Sequence, residues 1–555
     1  FEGVGNTKVI LQNFTLENLD NLPATSSRPA IGNILFDGQT SITDSFDVFD
    51  ANSTQTTLFN KNTVTFLNDL DNNIKGFDNS NDVINGQGGD DIIDGKSGND
   101  ILRGGAGNDT LTDGTGNDTL DGGTGDDRLN ASSSTGDNLL LGGDGNDSLD
   151  ISGRYYKDRY SDPDDYSDSR SLGNNTLNGG AGDDTLNASG SKGDNLLSGG
   201  DGNDYLDISG NASVTFGYGS NSVSLGNNTL NGGAGNDTLS ASGSTGNNLL
   251  SGGDGNDYLD ISGSYEESFY GTEDSNSEGN NTLNGGAGDD SLSASGSTGN
   301  NLLSGGDGND SLDISGYGRF YPGYSFDSRS FGNNTLNGGA GSDTLSASGS
   351  TGDNLLNGGD GNDYLDISGY ANFYADDDYL DSRSLGNNTL NGGAGNDRLN
   401  ASGSTGDNLL SGGAGNDTLS ADGASGNNTL YGGSGNDILT GGLGNDTLYG
   451  NNGTDTFAFN SYNEGVDTIS DFNPTGDLIQ VSAAGFGGGL STPSLLASQF
   501  TIGTSATTST QRFIYNSTTG ALFFDQDGSA SAFTQVKFAS FTTGLSLTEN
   551  NFVVV

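Results

Sequence analysis

The chain of 555 residues has no cysteine, histidine, methionine or tryptophan, and only six prolines. Without cysteine there is no disulfide scaffold, thiolate zinc site or thiol nucleophile. Without histidine there is no imidazole base, which removes the Ser-His-Asp triad and the HExxH metalloprotease helix. The few prolines argue against collagen and Pro-rich linkers. Basic residues are scarce as well: 18 Lys and Arg stand against 74 Asp and Glu, a formal charge of −56. Nucleic acid needs basic patches on its partner, and an anionic membrane surface would repel this chain. No apolar run approaches the ~18 residues of a spanning helix. A basic leader followed by an apolar stretch is also missing at the start, where the first residue is Phe.

What is abundant is glycine, 97 residues, against an ordinary share of ~7%. Low hydrophobicity with high net charge would by itself allow disorder, but the repeat structure overrides that reading. From about Gly76 the sequence falls into nonapeptides such as NGQGGDDII, DGKSGNDIL, RGGAGNDTL and TDGTGNDTL. Large apolar residues recur every nine positions at Ile84, Ile93, Leu102, Leu111, Leu120 and Leu129. Neither a helix nor an alternating strand has that period. A solenoid made of tight Gly-rich turns and very short strands does.

A longer repeat overlays the first. The 37-residue block at 174–210, NNTLNGGAGDDTLNASGSKGDNLLSGGDGNDYLDISG, recurs at 227–263, 280–316 and 333–369, and an altered copy starts at Asn387. Between blocks lie inserts at 154–173, 211–226, 264–279, 317–332 and 370–386. Residues 1–75, with runs such as KVILQNFTLENL and NTVTFLNDL, read as a β-rich N-terminal cap, and 458–555 as a β-rich C-terminal segment.

GGxGxDxUx (U a large apolar residue), repeated over roughly 76–457, resembles the RTX (repeats-in-toxin) family of secreted calcium-binding repeat proteins. The resemblance implies an all-β fold, a right-handed parallel β-roll or β-solenoid, in which two nonapeptides make one coil. It also implies Ca²⁺ as cofactor, held between same-side turns of successive coils. The residue types suit that chemistry. Glycine tolerates φ > 0 and leaves carbonyls uncovered, and aspartate supplies the hard oxygens that Ca²⁺ takes in sets of six to eight. The apolar position forms a thin inward ladder, so the metal is expected to supply much of the folding free energy.

The position two before U can be followed edge by edge. One edge reads Asp91, Asp109, Asp127, Asp147, Asp184, Asp204, Asp237, Asp257, Asp290, Asp310, Asp343, Asp363, Asp397, Asp417, Asp437 and Asp455. The opposite edge opens with Asp82, Asp100 and Asp118, then turns to Asn from Asn138 to Asn428 before Asp446. We expect one long calcium ladder of these aspartates and a second edge largely closed by Asn, which shapes a turn through its own backbone. Amide-oxygen ligation leaves open a degenerate set of sites on that edge. Fifteen divalent ions in the fifteen gaps of the Asp edge would bring −56 to about −26.

All five inserts enter on the Asn edge, spaced roughly every 10 Å for two coils per block. They hold 13 of the 20 Tyr, and Tyr with Arg favours recognition surfaces. Candidate interaction residues are Tyr155, Tyr156, Tyr160, Tyr166, Tyr265, Tyr270, Tyr321, Tyr324, Tyr374 and Tyr379; loops packed locally on the roll are the alternative. The segment GTDTFAFNSYNEGVDTISDF is similar to the tail that follows RTX repeats in many secreted bacterial proteins, which implies type I secretion. Chains that are almost all RTX repeat include cyanobacterial surface and fibril proteins of the oscillin or S-layer type. The expected function is therefore a secreted structural protein, a calcium-stiffened rod that self-associates into a filament, sheath or surface layer. A glycan-binding adhesin, with surface polysaccharide as partner, is the alternative, and a toxin or exoenzyme fragment a third. The expected location is extracellular or the cell surface, with no nucleic-acid partner and no membrane span. No catalytic constellation is visible, and among 74 acids any carboxylate pair is uninformative.

Overall fold

The structure, a computed structural model, describes residues 46–49, 52–58, 64–158, 166–210, 212–215, 218–221, 223–263, 265–268, 271–274, 276–321, 324–373 and 379–555. The chain divides into two compact units, one of residues 1–157, 164–208 and 224–233, the other of 158–163, 209–223 and 234–555.

In the first unit two parallel sheets alternate along the chain. Strands of up to six residues, among them Val83–Gly88, Ile101–Ala106, Thr119–Thr124, Leu139–Asp144, Thr176–Ala181 and Leu196–Asp201, pair in parallel in one sheet. Three-residue strands such as Ile92–Asp94, Thr110–Thr112, Arg128–Asn130, Ser148–Asp150, Thr185–Asn187 and Tyr205–Asp207 do so in the other. The nonapeptide explains both. Alternation along a strand sends U inward and its two neighbours outward. Equivalent residues then stack in register, so Leu102, Leu120 and Leu140 meet in one column and Leu111, Leu129 and Leu149 in the other, all fully buried. Parallel sheets usually need cover on both faces. Here most outward positions carry Thr, Ser, Asn, Asp and Arg, which accept solvent, with Ile92, Leu196 and Tyr205 exposed among them. This is the all-β parallel β-roll expected from the repeat.

A third inward column went unread in the sequence. Ala131, Ile151, Ala188 and Ile208, two residues after U on the Asn edge, are fully buried. Its signal, LNAS alternating with LDIS, is weaker than that of U because Ala and Ile exchange at this position from coil to coil.

The stack also runs past the boundaries that the repeat placed at 76 and 457. Phe46–Val48 pairs in parallel with Val64–Phe66, which pairs with Val83–Gly88, and Asn73–Lys75 pairs with Ile92–Asp94. A coil requires inward-facing residues in register, not the Gly-Asp turn, so it continues where the motif has faded.

The second unit has two parallel sheets of the same kind, from Thr238–Ser240 and Leu249–Asp254 through Thr447–Asn452 and Thr456–Phe459. One more coil follows, Asp467–Ile469 and Leu478–Val481. The chain then returns to add Val536–Phe541 to one sheet and Phe552–Val554 to the other. Aromatic contacts such as Phe459–Phe538 at 5.1 Å and Phe472–Phe541 at 5.2 Å fill this end. Among the described residues no helix is long and apolar enough to cross a membrane.

The inserts are β-hairpins. In the first unit Tyr155–Asp158 turns back as Tyr166–Asp168. In the second, four hairpins join into an eight-stranded antiparallel sheet. Its order is Tyr218–Asn221, Ala212–Thr215, Gly271–Asp274, Tyr265–Ser268, Tyr324–Asp327, Gly318–Tyr321, Tyr379–Asp381, Ala371–Phe373.

Candidate metal centre

The turn at 104–109 shows how one site is built. Gly105 and Gly107 adopt φ of 116° and 129°, a region that side chains disfavour. Gly104 serves a different purpose, since a Cβ there would overlap Asp109 Oδ2. On Gly86, in the preceding same-side turn, a Cβ would overlap both Asp91 Oδ2 and the carbonyl oxygen of Gly104. Oxygens from two successive turns thus converge where the glycines leave space. The arrangement recurs at Gly142, between Asp147 Oδ2 and Gly179 O, and at Gly338, between Asp343 Oδ2 and Gly358 O.

Within each unit the aspartates form a column. The Asp91 N–H donates to Asp109 Oδ1 at 2.7 Å, Asp109 to Asp127 at 2.7 Å, Asp127 to Asp147 at 2.8 Å, and Asp147 to Asp184 at 2.7 Å. The second unit repeats this from Asp237 to Asp455, for example Asp310 to Asp343 and Asp363 to Asp397, both at 2.8 Å. One oxygen of each carboxylate is therefore satisfied by the neighbouring coil. The other is not: Oδ2 of Asp91, Asp109, Asp127, Asp147 and Asp184 is buried without a hydrogen-bond partner. So is Oδ2 of Asp257, Asp290, Asp310, Asp343, Asp363, Asp397, Asp417 and Asp437. The side chains are 1–3% exposed. Burial, with smaller contributions from neighbouring carboxylates, pushes Asp91, Asp127, Asp184, Asp290 and Asp417 up to about 7. A buried carboxylate oxygen lacking a donor calls for a proton or a cation.

The Asn edge has the same plan with a donor in place of the bare oxygen. Asn138 Nδ2 donates to Gly136 O at 3.1 Å and to Asn175 Oδ1 at 2.9 Å, while its backbone N–H reaches the same Oδ1 at 3.0 Å. Asn301 adds a third bond, Nδ2 to Ser297 Oγ at 2.8 Å, beside those to Gly299 O and Asn334 Oδ1. Where aspartate leaves an oxygen bare, asparagine supplies an N–H to the next coil.

Asp100 and Asp118 join the aspartates with an unpartnered Oδ2. Asp82 instead accepts the Phe77 N–H on Oδ2 at 2.8 Å and the Ser80 hydroxyl on Oδ1 at 2.7 Å, so it shapes its own turn. Asp455 donates its N–H to Asp477 Oδ1 at 3.0 Å, and Asp477 Oδ2 accepts from Asn473 N at 2.7 Å, ending the column on hydrogen bonds. Two acids of this region lie outside the sixth-position series of the nonapeptide, Asp113 and Asp477. Asp446 stood in the Asn-edge series without being read as a ligand, yet its Oδ2 is also unpartnered. Asp113 stands where the motif has glycine, a departure visible in TDGTGND.

Of the candidate interaction tyrosines, Tyr155, Tyr156, Tyr166, Tyr265, Tyr321, Tyr324 and Tyr379 lie in hairpin strands. Tyr160, Tyr270 and Tyr374 fall outside the described residues. Tyr379 donates to Asp381 Oδ2 at 2.6 Å, and Arg383 bridges the two. The returning strands of three inserts end in this Asp-Ser-Arg pattern. Arg170 forks onto Asp168 with two bonds of 2.9 Å and holds its carboxyl well below the usual range. Arg329 forks onto Asp327 with bonds of 3.0 and 2.7 Å.

The profile of the RTX calcium-binding nonapeptide repeat matches thirteen segments, from 78–102 to 422–457, together about half of the chain. No curated protein sequence matches. Among solved structures, a repeat subunit of the mannuronan C5-epimerase of Azotobacter vinelandii is 26% identical over 30% of this chain and 78% of its own, with a TM-score of 0.17. The extracellular lipase LipA of Serratia marcescens is 20% identical over 50% of this chain and 40% of its own, with a TM-score of 0.11.

Proposed function

Because the chain belongs to the family of RTX calcium-binding nonapeptide repeat proteins, we propose that it is a secreted structural protein. Its calcium-loaded β-roll joins further copies into an extracellular filament, sheath or surface layer. The observation that carries this reading is the eight-stranded hairpin sheet of the second unit. Regularly spaced inserts that pair with one another present a repeating face, and the Ala371–Phe373 strand at the end of the sheet's order offers a backbone edge to a neighbour. When bound, calcium would supply the positive charge that the buried carboxylate oxygens lack. The chain's own part is to hold Oδ2 and the glycine carbonyls in line and to exclude water from them. We assign no catalytic role, and we attribute export to the C-terminal segment. Electron microscopy with light scattering tests the assembly. Calcium should give ordered polymers that chelator disperses, and monodisperse monomers at high protein and calcium concentration would refute it.

A second reading, a glycan-binding adhesin, draws on the strand-borne Tyr265, Tyr321, Tyr324 and Tyr379. Replacing these by Ala would then abolish glycan binding and leave assembly intact.

A further inference from the structure

We propose that Asp113 completes a three-carboxylate cation site with Asp100 and Asp118, chemically distinct from the two-carboxylate gaps of the repeat and filled before them. The proposal rests on the calcium reading above and adds a ligand that the nonapeptide does not provide. Asp113 occupies the first turn position, where Gly86, Gly95, Gly104 and Gly122 stand in neighbouring nonapeptides. Its carboxylate reaches back across the gap between two coils: a Cβ on Gly95 would lie 2.6 Å from Asp113 Oδ2. In the ordinary gap that direction is taken by a glycine carbonyl, as Gly104 O is over Gly86.

One oxygen from each of the three side chains lies within 4.8 Å of the others. Each carboxylate has its second oxygen fixed by a backbone N–H. Asp100 Oδ1 accepts from Asp82 at 2.6 Å, Asp118 Oδ1 from Asp100 at 3.0 Å, and Asp113 Oδ1 from Gly114 at 2.8 Å. The three Oδ2 atoms have no hydrogen-bond partner, and the residues are 1%, 1% and 5% exposed. Three anionic oxygens preorganised in a buried pocket suit a hard, multiply charged cation. Affinity among oxygen-ligated sites follows carboxylate count and rigidity, so this gap takes calcium ahead of the others and prefers trivalent lanthanides more strongly.

The test uses the full chain, stripped of metal and titrated with Ca²⁺ by calorimetry, beside Asp113→Gly and Asp113→Asn. The glycine variant restores the repeat's own residue, so the coil is retained. Wild type should show one ion per chain bound about ten-fold or more tighter than the rest. Both variants should lose that class and keep the weaker ones. Luminescence lifetimes of directly excited Eu³⁺ at one equivalent should report more bound water in the variants. A tight class that persists in both variants, or a wild type that binds calcium in one uniform class, overturns the proposal alone. A wild type that binds no calcium overturns the broader reading with it.

Discussion

A single atom separates the two edges of the roll. Aspartate at the sixth turn position leaves Oδ2 bare, and asparagine puts Nδ2 there and donates it to the next coil. Asp310→Asn should therefore convert its two gaps to the amide arrangement. Equilibrium dialysis should show about one or two fewer calcium ions per chain, with the circular dichroism spectrum in calcium unchanged. The reverse change is harmful. Asn301→Asp removes the donor that serves Ser297 Oγ, Gly299 O and Asn334 Oδ1, and leaves buried acceptors unpaired. Its cost is ~1–3 kcal/mol, read as a lower urea midpoint at neutral pH. The Asp phase was legible from sequence because it is local, always two before U. Asp113 was not, because it lies at a position the phase assigns to glycine, and one of its partners, Asp100, comes from a turn brought alongside only by coiling.

The same limit governs the elements. The three- to six-residue strands of the roll were readable because nine-residue spacing repeats them many times. The insert hairpins have strands of three or four residues and share little beyond the Asp-Ser-Arg that closes three of them. Beyond its own hairpin, each strand pair in the sheet leans on a hairpin from another insert, as Glu266 pairs with Glu273 within its hairpin and with Phe326 of the next. Nothing nearby in the chain announces such a sheet. Their dependence on neighbours can be checked with Ser325→Pro, placed in a strand paired on both sides, where proline removes a ladder donor. Hydrogen exchange should speed up across 265–268 and 318–321, while amides of the coil strand Thr335–Ala340 stay protected and calcium stoichiometry is unaltered.

For the whole molecule, the −56 formal charge becomes a statement about pH. Without metal, Asp91, Asp127, Asp184, Asp290 and Asp417 titrate near 7 in the fold, against 3.8 ordinarily. A raised folded value means that the fold binds the proton more tightly than the unfolded chain. The stabilisation is thus complete below about pH 4 and is lost as pH rises through about 7. Metal-free protein should show a β spectrum near pH 4 and lose it by pH 8. With calcium the sign reverses, because protons compete for Oδ2, and affinity should fall below pH 7. A spectrum independent of pH in the metal-free state would contradict this. The two edges also respond unequally. Withdrawal of calcium leaves facing anions on one side of each coil stack, while the amide chain on the other keeps its rung spacing. Each stack then behaves as a bimetallic strip does on heating: one flank lengthens, the other holds, and partial depletion is expressed as curvature before it is expressed as unfolding.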